Sequence, residues 1–422
     1  MSTSKSDKRT IQSERKEKGK LPEADYGNIG VTGEVFRLEN FKHIAGHNCQ
    51  FSSLRKTFAY LGWDYSEDML LGLASALGML YWEMKLMPVP FIGALNAKEL
   101  EIFERTVTRL GGKVIPHITS SPLKAHQELK DMLRRGMPAI TFVDMAFLPY
   151  FFRDDAKIPF EEAHFGGHTV VVYGIDEKGG TVCISDRLAH PVQVPLTYFQ
   201  MARASGYQPF PPKHKLVELR LPEKPRSLEE VLPGAIKANL EWMTNPPISN
   251  FGLKGLLRFK EAFPKWHKTY DADKLLLALS STFIYMETGG SGGAWCRVMY
   301  SRFLKEASEA LHQPKLAEVA RIFEDEVQAI RELESTILPD ELANMARIRE
   351  IFIESNRIQE QMPNDYRHRL RELDDKMRAA VNAAKEDDYQ KYAPQISKVQ
   401  AAIQKVHDLE SKAWNEMKVI PL

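Results

Sequence analysis

"HTVVVYGIDEKGGTVCISD", residues 168–186, is the stretch on which the fold turns. Its two runs, VVVYGI and TVCIS, are rich in β-branched residues and flank DEKGG, so it predicts an antiparallel hairpin. His168 opens the first run and Asp186 ends the second, equally far from Glu177. Folding the hairpin about that point brings an imidazole and a carboxylate side by side at its open end.

Moving outward, PAITFVD (138–144) reads as a buried strand, GGKVIPHI (111–118) as a short strand, and KLVELRL (215–221) as a strand that closes the sheet. Between them, AKELEIFERTVTRLGG (97–112) is an amphipathic helix closed by glycines, and SPLKAHQELKDMLRRG (121–136) opens on Ser-Pro and ends on Gly. Further upstream, "AGHNCQFSSLRKTFAYLGW" (45–63) predicts a helix over Cys49–Leu61, and the apolar run before Trp82 predicts a second over Asp68–Glu83, capped by Ser66. Leu54, Phe58, Leu70, Leu73 and Leu77 would pack this pair together. The region is therefore α+β, with helices first and an antiparallel sheet after them.

After Leu221 the pattern becomes almost wholly helical. LPEKPRSLEEVLPG is read as a linker into a helix whose Ser227 and Glu230 fit a capping box. Helices follow near 228–242, 252–263, 271–286, 294–311, 314–334, 339–382 and 394–415, the longest interrupted where Pro363 falls inside the pattern. The expected organisation is a polar, disordered tail over 1–25, an α+β domain over 26–222 and an all-α domain over 227–422.

Composition narrows the function classes. With 57 basic and 56 acidic residues in 422, no global field draws the chain to nucleic acid or an anionic membrane. The first twenty residues have no apolar stretch of a signal peptide, and the run Met69–Trp82 is shorter than the roughly 20 residues a membrane span needs. Cys49, Cys183 and Cys296 are odd in number, far apart and without CxxC spacing, which argues against a disulfide framework or a metal site and for a reducing, cytoplasmic compartment.

Cys49 stands at a helix start, where free N–H groups and the helix dipole favour a thiolate and can hold an oxyanion. With His168 as base and Asp186 to orient it, Cys49 completes a nucleophilic triad in the cleft between helices and sheet. Alternatives stay open: Cys49 as a core cysteine, His164 as a rival base, Asp186 as a turn residue. Cys183, inside a strand, and Cys296, inside a helix, read as structural. TGGSGGAW (288–295) lacks the Lys-Ser/Thr of a nucleotide loop. It is either a flexible approach to a packed helix or a substrate contact to which Arg297 adds charge. The charged stretch 314–382 is a solvated bundle face or a dimer contact.

"GHNCQFSSLRKTFAYLG", "SEDMLLGLASALGMLYW", "VDMAFLPY", "HFGGHTVVVYGID" and "VCISDR" together resemble the N-terminal domain of the butirosin-biosynthesis protein H family, which has a papain-like fold. "YMETGGSGGAWCRVMYSRFLKEA" resembles the helical C-terminal domain that accompanies it. The resemblance implies a Cys-His-Asp enzyme that moves an acyl group from a carrier-protein thioester to a small-molecule amine without a cofactor. It maps the triad onto Cys49, His168 and Asp186, and an Asp-aromatic-Leu-Pro-Tyr element onto Asp144, Leu148, Pro149 and Tyr150. Ala146 and Phe147 depart from the more aromatic run expected there. Papain-like enzymes also carry a side-chain amide before the cysteine, whereas FKHIAGHN offers His43, His47 and Asn48 and no glutamine. Asn48, Gln50 or the backbone is left to hold the oxyanion. A cysteine peptidase or amidase of the same fold, and a non-catalytic scaffold, are the competing expectations.

Overall fold

The computed structural model describes residues 30–151 and 164–422. The tail expected over 1–25 lies outside them. The hairpin forms from β6 (His168–Asp176) and β7 (Thr181–Ser185), and it is the middle of one antiparallel sheet. The other strands are β1 (Val35–Arg37), β4 (Lys113–His117), β5 (Ala139–Val143), β8 (Val192–Pro195) and β9 (Leu216–Arg220), ordered β4-β9-β5-β6-β7-β8 with β1 also on β6. KLVELRL thus lies between β4 and β5 rather than at an edge, a long-range pairing that no local pattern encodes.

Register corrects the hairpin's centre. Asp176 pairs with Thr181, so the turn is centred between Lys178 and Gly179, beyond Glu177. Tyr173 is an extra residue between the Val172–Ile184 and Gly174–Cys183 pairs, a bulge that shifts the ladder by one. Continuing the Val171–Ser185 register puts Asp186 opposite Val170, so His168 and Asp186 share a face as diagonal neighbours, within side-chain reach. β6 is buried on both faces, the reason its sequence is a continuous apolar run: Val171 joins one core cluster while Val170 and Val172 join another.

Helix α1 (Cys49–Tyr60) is capped by Asn48, and α2 (Glu67–Leu73) by Ser66, whose Oγ accepts the Met69 N–H at 2.8 Å. The helix expected over Asp68–Glu83 ends ten residues early; Leu77–Trp82 is strand β2, paired with β3 (Phe91–Leu95). An all-apolar run does not distinguish buried helix from buried strand by periodicity. Tertiary contacts decide it: the Asn239 side chain accepts the Leu77 N–H and donates to the Leu77 carbonyl, and a Cβ at Gly78 would lie 2.6 Å from the Asn96 backbone nitrogen. Helices α3 (Glu101–Arg109), α4 (Pro122–Arg134) and α5 (Leu196–Ala204) complete this region.

Eight further helices follow the last strand: α6 (Leu228–Thr244), α7 (Gly252–Thr269), α8 (Ala272–Phe283), α9 (Arg297–Ala310), α10 (Pro314–Ile337), α11 (Ala343–Gln361), α12 (Tyr366–Ala383) and α13 (Gln395–Lys418). The helix expected over 339–382 is broken, with Met362 left-handed at φ 46° just before Pro363. α2 locks against α9, since a Cβ at Gly72 would overlap the Phe303 ring at 2.0 Å. One apolar core runs from Phe51, Leu54 and Phe58 of α1 through Leu70, Leu73 and Leu77 to Phe259, Trp295 and Phe303.

Between α8 and α9 the chain makes a π turn (Ile284–Thr288) and then an unusual segment. Gly292, Gly293, Ala294, Trp295 and Cys296 all have positive φ, from 45° to 88°. Left-handed backbone costs about 1–2 kcal/mol for each residue that carries a Cβ, so the three after Gly293 are held there by their surroundings.

Candidate active site

The site forms where the N-terminus of α1 meets the open end of the hairpin. Asn48 Oδ1 accepts the N–H groups of Gln50 and Phe51 at 2.9 and 3.2 Å, which starts α1 at the next residue. Cys49 is thereby the first helical residue, partly exposed, at the positive end of the helix dipole. Among the described residues its backbone N–H has no protein acceptor.

His168 Nε2 donates to Asp186 Oδ2 at 2.8 Å, and the imidazole lies beside the Cys49 thiol, close enough for each to shift the other's titration. With Nε2 given to Asp186, Nδ1 is the ring nitrogen left for the sulfur. Asp186 is in turn fixed: Tyr150 donates its hydroxyl to Oδ2 at 2.8 Å, and the Arg187 N–H donates to Oδ1 at 2.6 Å. His168 and Asp186 are 2% and 1% exposed, so their interaction acts in a low-dielectric setting.

Electrostatics follow from that geometry. Burial alone would raise the Cys49 thiol, but the His168 hydrogen bond and charge, with the Thr169 backbone N–H, outweigh it and bring it below the ordinary value. Burial opposes a charged His168, yet the Asp186 carboxylate overcomes this and pushes the ring up to about 9. Burial likewise opposes an ionised Asp186, and the His168 charge, aided by Lys56, holds it well below the usual carboxylate range. The arrangement favours a thiolate–imidazolium pair.

Two charged residues beneath the site went unread in the sequence. Lys56, 1% exposed and drawn down to about 8 by burial, donates to the Asp186 backbone carbonyl at 2.6 Å. Glu67, raised to about 7 by burial, accepts the His47 N–H at 2.8 Å. The available signal was spacing: Cys49, Ser53 and Lys56 fall on one helix face, where a lysine between apolar neighbours needs a partner.

The remaining sequence candidates have partners of their own. Asn48 is a cap whose Nδ2 donates to the Gly290 carbonyl at 2.8 Å, and Gln50 Nε2 donates to the Glu99 carbonyl at 3.1 Å, so each amide already has one N–H engaged by backbone. Tyr150 serves Asp186 rather than a substrate. Asp144 is wholly buried, bonded to His164 Nδ1 at 2.8 Å and to the Ser205 hydroxyl, and His164 stacks on Tyr207 at 3.4 Å. His164, the rival base, thus belongs to a separate His-Asp pair. Arg297 is sealed from solvent between Glu326 and Glu410 and donates to the Gly78 and Trp295 carbonyls at 2.8 Å, which leaves no charge for a ligand. Cys183 and Cys296 are buried, the thiol of Cys296 pushed up to about 12 by burial. No helix among the described residues is long and apolar enough to cross a membrane.

Comparison with known proteins bears on both halves of the chain. A family model described as "Butirosin biosynthesis protein H, N-terminal" matches residues 48–187, which span Cys49, His168 and Asp186. A second, described as "Domain of unknown function (DUF4872)", matches residues 198–360. A search of curated proteins found no match.

Proposed function

Because residues 48–187 belong to the butirosin biosynthesis protein H N-terminal family and are followed by its helical companion, we propose that this chain is an acyltransferase of biosynthesis that works through Cys49. The observation that carries this reading is the buried His168–Asp186 hydrogen bond beside the Cys49 thiol at the start of α1. The Cys49 thiolate attacks the carbonyl carbon of a thioester donor, of the kind an acyl carrier protein presents. The carbonyl electron pair moves onto oxygen, which the Cys49 N–H at the helix start stabilises. Collapse expels the donor thiolate, protonated by the His168 imidazolium, and leaves an acyl group on Cys49. A neutral amine then attacks the acyl-enzyme, His168 takes the amine's proton, and the amide departs as Cys49 returns to thiolate. Asp186 holds the imidazole in the required tautomer throughout.

The test is incubation of the full chain with an acyl thioester and a set of small amines, followed by mass spectrometry. An adduct on Cys49 that disappears as an acylated amine accumulates supports the reading. Release of free acid alone at a matching rate replaces it with a hydrolase. Absence of any adduct, with Cys49 also inert to iodoacetamide near neutral pH, points to a non-catalytic scaffold.

A further inference from the structure

Asn48 ties the nucleophile's helix to a segment 242 residues away. Its Oδ1 caps α1, and its Nδ2 donates to the carbonyl of Gly290, in the segment between α8 and α9. One amide group thus holds both ends, and its orientation is set by Gly290. The contact is close along its length, since a Cβ at Gly292 would lie 3.5 Å from the His47 Cβ.

The segment is itself rigidly held. Glu287 Oε2 accepts the Ala294 N–H at 2.9 Å, and Ser291 Oγ donates to the Met286 carbonyl at 2.8 Å and accepts the Gly293 N–H at 3.2 Å. At its far end Arg297 grips the Trp295 carbonyl. Three consecutive positive-φ residues that carry a Cβ, Ala294, Trp295 and Cys296, persist only where the surroundings over-determine them, and such strain gathers at functional sites. This segment's outer face meets the two residues that precede Cys49.

We infer that the 288–296 segment of the helical region is a positioning element for the nucleophile, holding the Asn48 cap so that the first turn of α1 presents its free N–H and dipole to the Cys49 sulfur. This gives the region matched as a domain of unknown function a task in the reaction, and it rests on the reading of Cys49 as the nucleophile. Asn48 and Glu287 are positioning residues that act through Cys49.

The test is the pH dependence of Cys49 alkylation by iodoacetamide in the full chain, located by peptide mass spectrometry. Asn48→Ser keeps a capping oxygen and loses the bond to Gly290. Glu287→Ala frees the Ala294 N–H without touching α1, and Glu287→Gln retains a carbonyl acceptor for it. Asn48→Ser and Glu287→Ala are each expected to move the alkylation midpoint upward by about half a pH unit, the scale of a helix-end interaction. Glu287→Gln restores the wild-type profile. A purely structural role would lower thermal stability and leave the midpoint of the folded protein unmoved, and that result overturns the inference. A wild-type Cys49 no more reactive than Cys183 or Cys296 overturns the nucleophile reading and this one with it. A reactive wild-type Cys49 whose profile is unchanged in both variants overturns this one alone.

Discussion

Two buried ionic clusters in this molecule are built from similar parts and have different consequences. At the hairpin's open end, His168 bonds Asp186 and reaches the partly exposed Cys49. In the helical region, Arg297 bonds Glu326 at 3.2 Å and also Glu410, all three 0% exposed. Burial raises Glu326 well above the usual carboxylate range, helped by the Glu410 charge and opposed by Arg297, which favours its neutral form. In the first cluster an imidazole lies beside a thiol, two groups of the kind that exchange a proton, and the cysteine is partly exposed. The contrast teaches that burial and charge alone make a brace; chemistry also requires access and a transferable proton.

The comparison breaks most directly at Cys49. Cys49→Ala should abolish acyl-adduct formation and lower turnover by about 10,000-fold or more while leaving the thermal midpoint within a few degrees. Near-normal turnover in that variant would place the reaction elsewhere.

Carboxylate-to-amide exchange sharpens the contrast, because the same chemical change should matter in one cluster and hardly in the other. Asp186→Asn should reduce turnover by about 100-fold or more, because the amide can still hold the imidazole but no longer supplies the charge that stabilises the imidazolium. It should also bring the basic limb of the pH–rate profile below the His168 value of about 9, since the carboxylate that raises the ring is gone. At Glu326, whose carboxyl is raised well above the usual range by burial, Glu326→Gln keeps the side chain's shape and an acceptor for Arg297 and should change unfolding free energy by less than about 1 kcal/mol at neutral pH in urea denaturation. Equal losses of activity in the two variants would erase the distinction.

Charge removal at the brace comes next in size. Arg297→Met leaves two buried carboxyls without their cation and should cost about 3–5 kcal/mol of stability by urea denaturation. A loss near zero would mean the cluster is not a brace.

The smallest effect is the dependence of stability on pH. Asp186, held below its ordinary 3.8, contributes stability that is present above that value and lost as pH falls through its folded-state value. His168, raised from 6.5 to about 9, contributes stability that is full below 6.5 and lost as pH rises through about 9. The difference in thermal midpoint between wild type and Asp186→Asn should therefore be widest between about pH 4 and 6.5 and narrow on either side. A difference that is flat across pH 3–10 would show that the pair is uncoupled from folding.

Local patterns carried much of the architecture. The β-branched runs about DEKGG specify a hairpin, Ser66 and Ser227 each cap a helix through their hydroxyls, and Pro363 stops a helix, because these are interactions among residues close in the chain. His168 and Asp186 were legible for the same reason: a hairpin brings its two ends together whatever surrounds it. Where backbone preference is ambiguous, distant partners decided. Leu77–Trp82 is a strand because Asn239 and Asn96 meet its backbone, and KLVELRL enters the middle of the sheet because β4 and β5 flank it. The polar candidates divide in the same way. An isolated Asn, Tyr, Asp or Arg in a sequence shows that a donor or charge exists and does not show what it bonds. Asn48 reaches Gly290, Tyr150 reaches Asp186, Asp144 reaches His164, and Arg297 reaches Glu326 and Glu410. The order of residues along the chain determined which groups could do chemistry. Only the packed chain, by spending some of those groups on one another and leaving Cys49 a path to solvent, decided which are free to do it.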